Sequence, residues 1–197
     1  MQDHPDQDSA DVLHAEAQSA VCCSHKGIEP KADYTGVERA DDFIFAIQTS
    51  AEQNKVGDWI VCAERVKEHS GALNATTEDN SYIRAGTVTE KGEVQRTFAL
   101  NGNRCVGDAA QDFLLSHKVK FGSGQSVIFP YVYFSVKTGK GEKGQAAFIV
   151  TSDTSGAAGA AAGFACDVKG IGTPSEYDYL TDPDMQTQAA PGKAVKA

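Results

Sequence analysis

The sequence predicts a mainly β domain, a two-sheet sandwich or flattened barrel with one flanking α-helix and extended terminal arms. Three observations carry this. Five or six segments read as strands, either continuous apolar runs or strict alternation, and only one segment reads as a convincing helix. Strands and helices do not alternate in the way that builds a parallel sheet. The 197 residues suffice for one domain with a core of ordinary size, at 41% hydrophobic content.

Residues 1–36 read as a weakly structured acidic arm. A short helix from Ser9 to about Val21 is expected to be marginal without tertiary contacts, and Gly27, Pro30 and Gly36 end the pattern. The body is expected over 37–170. Phe43–Ile47 is an apolar run typical of a strand covered on both sides, and Trp59–Cys62 is a second, reached through a polar turn over 50–58. Asp58–Arg65 and Val94–Leu100 read as neighbouring strands, with Val94, Arg96, Phe98 and Leu100 on one face. Between them lies a polar segment over 66–91, VKEHSGALNATTEDNSYIRAGTVTEK. A hairpin connection needs only about two to five residues. Structureless connections beyond about 12–15 residues are uncommon and usually functional. This insert is therefore expected to reach something outside the domain.

The helix follows. Asp108 is expected to cap it, with Ala109, Phe113 and Leu114 on one face and the end near His117 or Lys118. Val127–Val136 returns to strand, with Pro130 favouring an edge or bulge because it lacks a ladder donor. A glycine-rich turn leads into Gln145–Thr151, and a small-residue linker into Phe164–Lys169. Residues 171–197 read as an extended tail.

Charge and cysteine usage narrow the function. The net charge is −9, and residues 1–30 hold one lysine against six acidic residues. Phosphate neutralisation needs a basic surface, so ordinary nucleic-acid affinity is disfavoured. Five cysteines, an odd number without a C-x-x-C pair, fit neither a secreted disulfide framework nor a structural zinc site and suit a reducing cytoplasm. Cys62, Cys105 and Cys166 read as buried thiols, whereas Cys22-Cys23 in the leader has no explanation. The first residues have neither a basic region nor an apolar core, so no secretory signal is expected. No apolar run is long enough to span a bilayer.

Few motifs suggest chemistry. Gly139-Lys-Gly141-Glu-Lys-Gly144 matches a dinucleotide fingerprint in letters, but the next residues read as a strand where a phosphate-holding helix should open. His4, His14, His25, His69 and His117 show no metal-ligand spacing, and no cysteine sits in an activating context. Neither a catalytic residue nor a cofactor is expected. Within the insert, TTEDNSYIR admits three readings: a Glu78–Asp79 carboxylate pair for calcium or acid–base work, a solvated loop, or an interface loop anchored by Tyr82 and Arg84. Tyr and Arg are enriched at interface hot spots, and the length of the insert favours the third.

The succession GVERADDFIFAI, TTEDNSY, FALNGNR, GDAAQDFLLSH, PYVYFSVKTGKGEKGQAAFIV and VKGIGTP resembles the major tail tube proteins of long-tailed, siphovirus-type bacteriophages over roughly residues 37–175. The acidic leader departs from that pattern. The resemblance implies the phage tail tube fold and a structural virion protein without enzymatic activity. Six copies would form a ring, and rings would stack into the conduit for DNA ejection. It implies that the insert, through Glu68, Glu78, Asp79, Asn80, Tyr82 and Arg84, contacts the next ring. It leaves the lumen-facing residues unassigned. Implied partners are the tape measure, tail terminator and distal tail proteins, with genomic DNA passing unbound and no membrane. The implied location is the virion tail, assembled in the host cytoplasm. The alternatives are a tail terminator, a capsid decoration protein, or a small cysteine or carboxylate enzyme.

Overall fold

The computed structural model describes residues 28–49 and 59–182. The leader helix, Cys22-Cys23, His4, His14, His25, the turn over 50–58 and residues 183–197 lie outside them. Seven strands are present: β1 (Phe43–Gln48), β2 (Trp59–Val61), β3 (Val66–Tyr82), β4 (Gly86–Asn103), β5 (Ile128–Ser135), β6 (Lys140–Ser155) and β7 (Gly163–Asp178). Two short helices, α1 (Ala109–Leu114) and α2 (His117–Phe121), join β4 to β5. Among the described residues no helix is long and apolar enough to cross a membrane.

The expected mainly β architecture with a helical flank is present. Its strands belong to one antiparallel sheet of order β2-β1-β5-β6-β7-β4-β3. That sheet curls on itself. β1 and β4 stand four places apart in it, yet the rings of Phe45 and Phe98 meet edge to face at 5.1 Å. Phe98 also meets Tyr131 at 5.4 Å and Tyr133 at 4.9 Å. Irregular register makes such bends possible, because a bulge turns a strand from one layer toward another. β6 and β7 shift register after Lys143/Ser175, Val150/Cys166 and Ser152/Ala165. The two layers of the sandwich are thus two halves of one folded sheet.

Two apolar clusters explain the two kinds of strand sequence. The inner one gathers Phe45, Ile47, Phe98, Leu100, Phe148 and Val168 with Leu114 and Val119 of the helices. The second lies on the opposite face of β1 and β5, where Ala46, Trp59, Val132 and Phe134 are covered by Tyr177 and Tyr179. β1 and β5 are therefore buried on both faces, which is why FIFAI and VYF are unbroken apolar runs. Pro130 sits in β5 one residue beyond its last pair with β1, Ile47↔Tyr131, so its missing donor leaves no β1 partner unmet.

Three expectations are corrected. The residues over 66–91 are not a structureless insert: they form most of the β3–β4 hairpin, and β4 starts at Gly86, well before Val94. The C-terminal tail does not begin at 171, because β7 runs to Asp178 and re-pairs with Lys140–Lys143 after bulging at Gly172–Pro174. The helix does not run unbroken to 117 or 118. It ends at Leu114, and Ser116, in extended backbone and with no capping bond from its side chain, occupies the N-cap position of α2 and divides the segment.

Asp108 caps α1 as expected, its carboxylate accepting from Gln111 N at 2.9 Å. Desolvation raises the Asp108 pKa. The buried face of α1 is Ala110, Gln111 and Leu114, with Phe113 packed beside it. Gln111 is buried yet hydrogen-bonded throughout: its amide donates to Glu64 O (2.7 Å) and Asn103 O (3.2 Å) and accepts from Cys105 N (2.7 Å). One side chain thereby ties the helix to the β2–β3 corner and to the end of β4. The glycines of the 139–144 segment lie in a turn and in β6. A Cβ on Gly141 would come within 2.1 Å of Tyr133 O, so glycine is there for close strand approach.

Candidate assembly interface

The β3–β4 hairpin leaves the barrel. β4 pairs with β7 only from Thr97 to Asn103, whereas it pairs with β3 all the way to Tyr82↔Gly86. The portion beyond Ala72↔Thr97 is a two-stranded ribbon, and ten further residues of β3 give it a length of roughly 30–35 Å. Nearly all of its residues are exposed on both faces.

Strand alternation sorts its side chains. One face carries Glu78 opposite Glu90, Asn80 opposite Val88, and Tyr82 near the tip. The other carries Thr77, Asp79, Ser81, Thr87, Thr89 and Lys91, cross-linked by Thr89 Oγ1 donating to Asp79 Oδ1 (2.7 Å) and by a Ser81–Thr87 hydroxyl contact (3.2 Å). Nearer the root, Leu73 and Val94 continue the side that holds Phe98 in the barrel, but here they are exposed. A bulge separates the two regions, with Gly92 and Glu93 opposing Thr76. A Cβ on Gly92 would meet Thr76 Oγ1 at 2.4 Å. At the tip, Ile83 is 95% and Tyr82 50% exposed. Arg84 holds φ 70° and Gly86 φ 75°. A positive φ on a non-glycine residue is uncommon and marks Arg84 as held in its turn.

The expected contact residues therefore do not form one cluster. Glu78, Asn80 and Tyr82 share a face, Asp79 lies on the opposite one, Arg84 is in the turn, and Glu68 is back at the root of β3. Because Glu78 and Asp79 are consecutive in a strand, they point apart and cannot act on one ion or proton. Among the described residues no group of three or more ligating side chains could hold a metal. Sequence reasoning missed Ile83, Val88, Leu73 and Val94. The signal was present in the β-branched content of GTVTEKGEV, which is strand-forming.

A buried polar network anchors the root. Arg96 Nε donates to Glu142 Oε1 at 2.7 Å, and Tyr131 OH donates to the same oxygen at 3.2 Å. The guanidinium lies 4.2 Å from the Phe98 ring centroid, and its side chain is only 12% exposed. Burial and the Glu142 carboxylate raise the Tyr131 pKa well above the ordinary phenol range. Taking such a pair out of water offsets much of its attraction, so it adds little net stability while it remains costly to break.

Beside the root is a groove of about 650 Å³. Ile28, Phe43, Ile44, Val61, Val66 and His69 give it apolar walls, and Asp41, Lys67 and Glu68 are charged residues on its lining. Two of the described cysteines are poor candidates for reaction. Cys62 and Cys166 are buried, and burial raises both thiol pKa values, that of Cys166 to about 12. Cys105, expected to be buried, is half-buried.

No protein-family model and no curated protein matches this sequence. Solved structures that resemble it in outline include the tail of an empty gene transfer agent particle refined with helical C6 symmetry, at 17% identity and a TM-score of 0.48, covering 71% of this chain and 98% of that one. The virion of a native gene transfer agent particle gives 16% identity and a TM-score of 0.47 over 71% and 98%. The tube-terminating cap of the anti-feeding prophage gives 11% and 0.48 over 78% and 99%.

Proposed function

We propose that this chain is the repeating structural subunit of a phage-like tail tube. Six copies form a ring and rings stack into a conduit for DNA ejection, in a siphovirus-type virion assembled in the host cytoplasm. The observation that carries this reading is the projecting hairpin. An isolated two-stranded ribbon is marginally stable at best in water. This one also exposes Leu73, Tyr82, Ile83 and Val88 and sets Glu78 directly opposite Glu90, a like-charge pairing that weakens a ladder. Such a ribbon is better suited to lying on another surface than to standing alone.

The outer edge of β3 supports self-association in a second direction. Among the described residues β3 is the last strand of the sheet, and its 17 residues have strand neighbours on one side only. Long open edges invite pairing with another chain, and a heterologous contact that closes makes a ring. That the assembly is a tube rests on the sequence resemblance over residues 37–175. A net charge of −9 disfavours general affinity for DNA phosphate, as suits a conduit. The tape measure, tail terminator and distal tail proteins are its proposed partners.

Electron microscopy of the purified protein, alone and with tail assembly factors, tests the reading. Tubes with a regular axial repeat and six-fold end views are expected. Isolated rings or labelled capsids would instead identify a terminator or a decoration protein. Persistent monomers, with tubeless particles, would reject self-assembly.

A further inference from the structure

We propose that the tip of the hairpin docks, head to tail, into the groove at the root of the same hairpin in a second copy of this chain. The inference rests on the stacking assembly proposed above and assigns it a receptor site. The tip is an apolar knob: Ile83 is almost wholly exposed, and Tyr82 and Val88 flank it. The groove is an apolar hollow of about 650 Å³ walled by Ile28, Phe43, Ile44, Val61 and Val66. Charges match as well. Arg84 stands in the tip turn, and the described groove lining carries Asp41 and Glu68 against the single cation Lys67, a net negative set. A third observation is independent of both. His69 lines the groove, and its Nδ1 is buried with no hydrogen-bond partner among the described residues. Buried polar atoms left unpaired are costly, which favours a shift of the His69 ring toward an incoming turn that can bond it.

Geometry selects a second copy as the occupant. The groove borders the first residues of β3 and the tip follows its last, so the two are separated by roughly 50–55 Å of strand. A chain cannot fill its own groove with its own tip. Knob and hollow at opposite ends of one hairpin generate a repeating contact, each copy displaced along the hairpin from the one before.

The test places a photoactivatable benzophenone amino acid at position 83 of the full chain, irradiates assembled material and maps the cross-links by mass spectrometry. Cross-links between copies are expected to concentrate on Phe43, Ile44 and residues 61–69. Assembly that proceeds with cross-links confined to another surface would overturn the groove as receptor while leaving the stacked assembly standing. Failure of the unmodified chain to assemble at all would overturn both. A charge exchange adds a second reading: Arg84→Glu is expected to abolish assembly, and the added change Glu68→Arg to restore it. Equal loss in the single and double variants would count against the pairing.

Discussion

The two ends of the β3–β4 hairpin share one backbone geometry and differ in nearly everything else. At the root, Phe98 and Leu100 are buried against Phe45 and Tyr131, a third strand pairs with β4, and Arg96 is clamped by Glu142. Beyond Gln95 the same two strands have no third neighbour and no core among the described residues. Packing of apolar surface accounts for the root, at about 1.5–3 kcal/mol for each large side chain removed from water. The outer ribbon has only its ladder and a few side-chain bridges. Such a ribbon adds little buried apolar surface to the domain, which suits the proposed role in contact with another copy.

Substitutions can separate the two regions. The largest effect is expected in the barrel: Phe45→Ala should lower unfolding free energy by about 3–5 kcal/mol in a denaturant titration, through lost burial plus a cavity. Glu142→Leu removes one partner of the buried pair and leaves Arg96 desolvated. A loss of about 3 kcal/mol is expected, and Arg96→Met in the same background should recover much of it. Joining Leu73 to Arg96 through an Asn-Gly turn deletes the outer ribbon. Thermal unfolding of that variant should change little, while sedimentation should show assembly lost. Asp79→Asn is expected to stay within about 0.5 kcal/mol of the parent and to leave assembly unchanged, as suits an exposed side chain on the polar face. Thiol labelling at pH 8 gives the smallest signal: Cys62 and Cys166 should stay unlabelled until the protein is unfolded.

The same contrast explains what the sequence made legible. Strands buried on both faces, such as FIFAI in β1 and VYF in β5, declare themselves because burial demands unbroken apolar residues. The cap at Asp108 is equally local chemistry. The outer ribbon reads as a polar insert because no core imposes alternation on TTEDNS, and only the β-branched residues of GTVTEKGEV mark its second strand. Gln111 and the Arg96–Glu142 pair were missed for a related reason. Their partners come from β2–β3, β4 and β6, far away in sequence, and only the fold brings them together. Of the contact residues expected in the insert, the hairpin brings Glu78, Asn80 and Tyr82 to one face. It separates Asp79 and Glu68 from them, because strand alternation and length act on positions that a loop would have left free.

Hydrogen exchange of backbone amides over residues 74–95, in unassembled and in assembled protein, tests the central claim most directly. Amides of β1, β5 and β7 should be slow in both states. Those of the outer ribbon should exchange rapidly when the protein is unassembled and become protected on assembly. Ribbon amides that exchange as fast in the assembly as in the free chain would contradict an interface role for the hairpin.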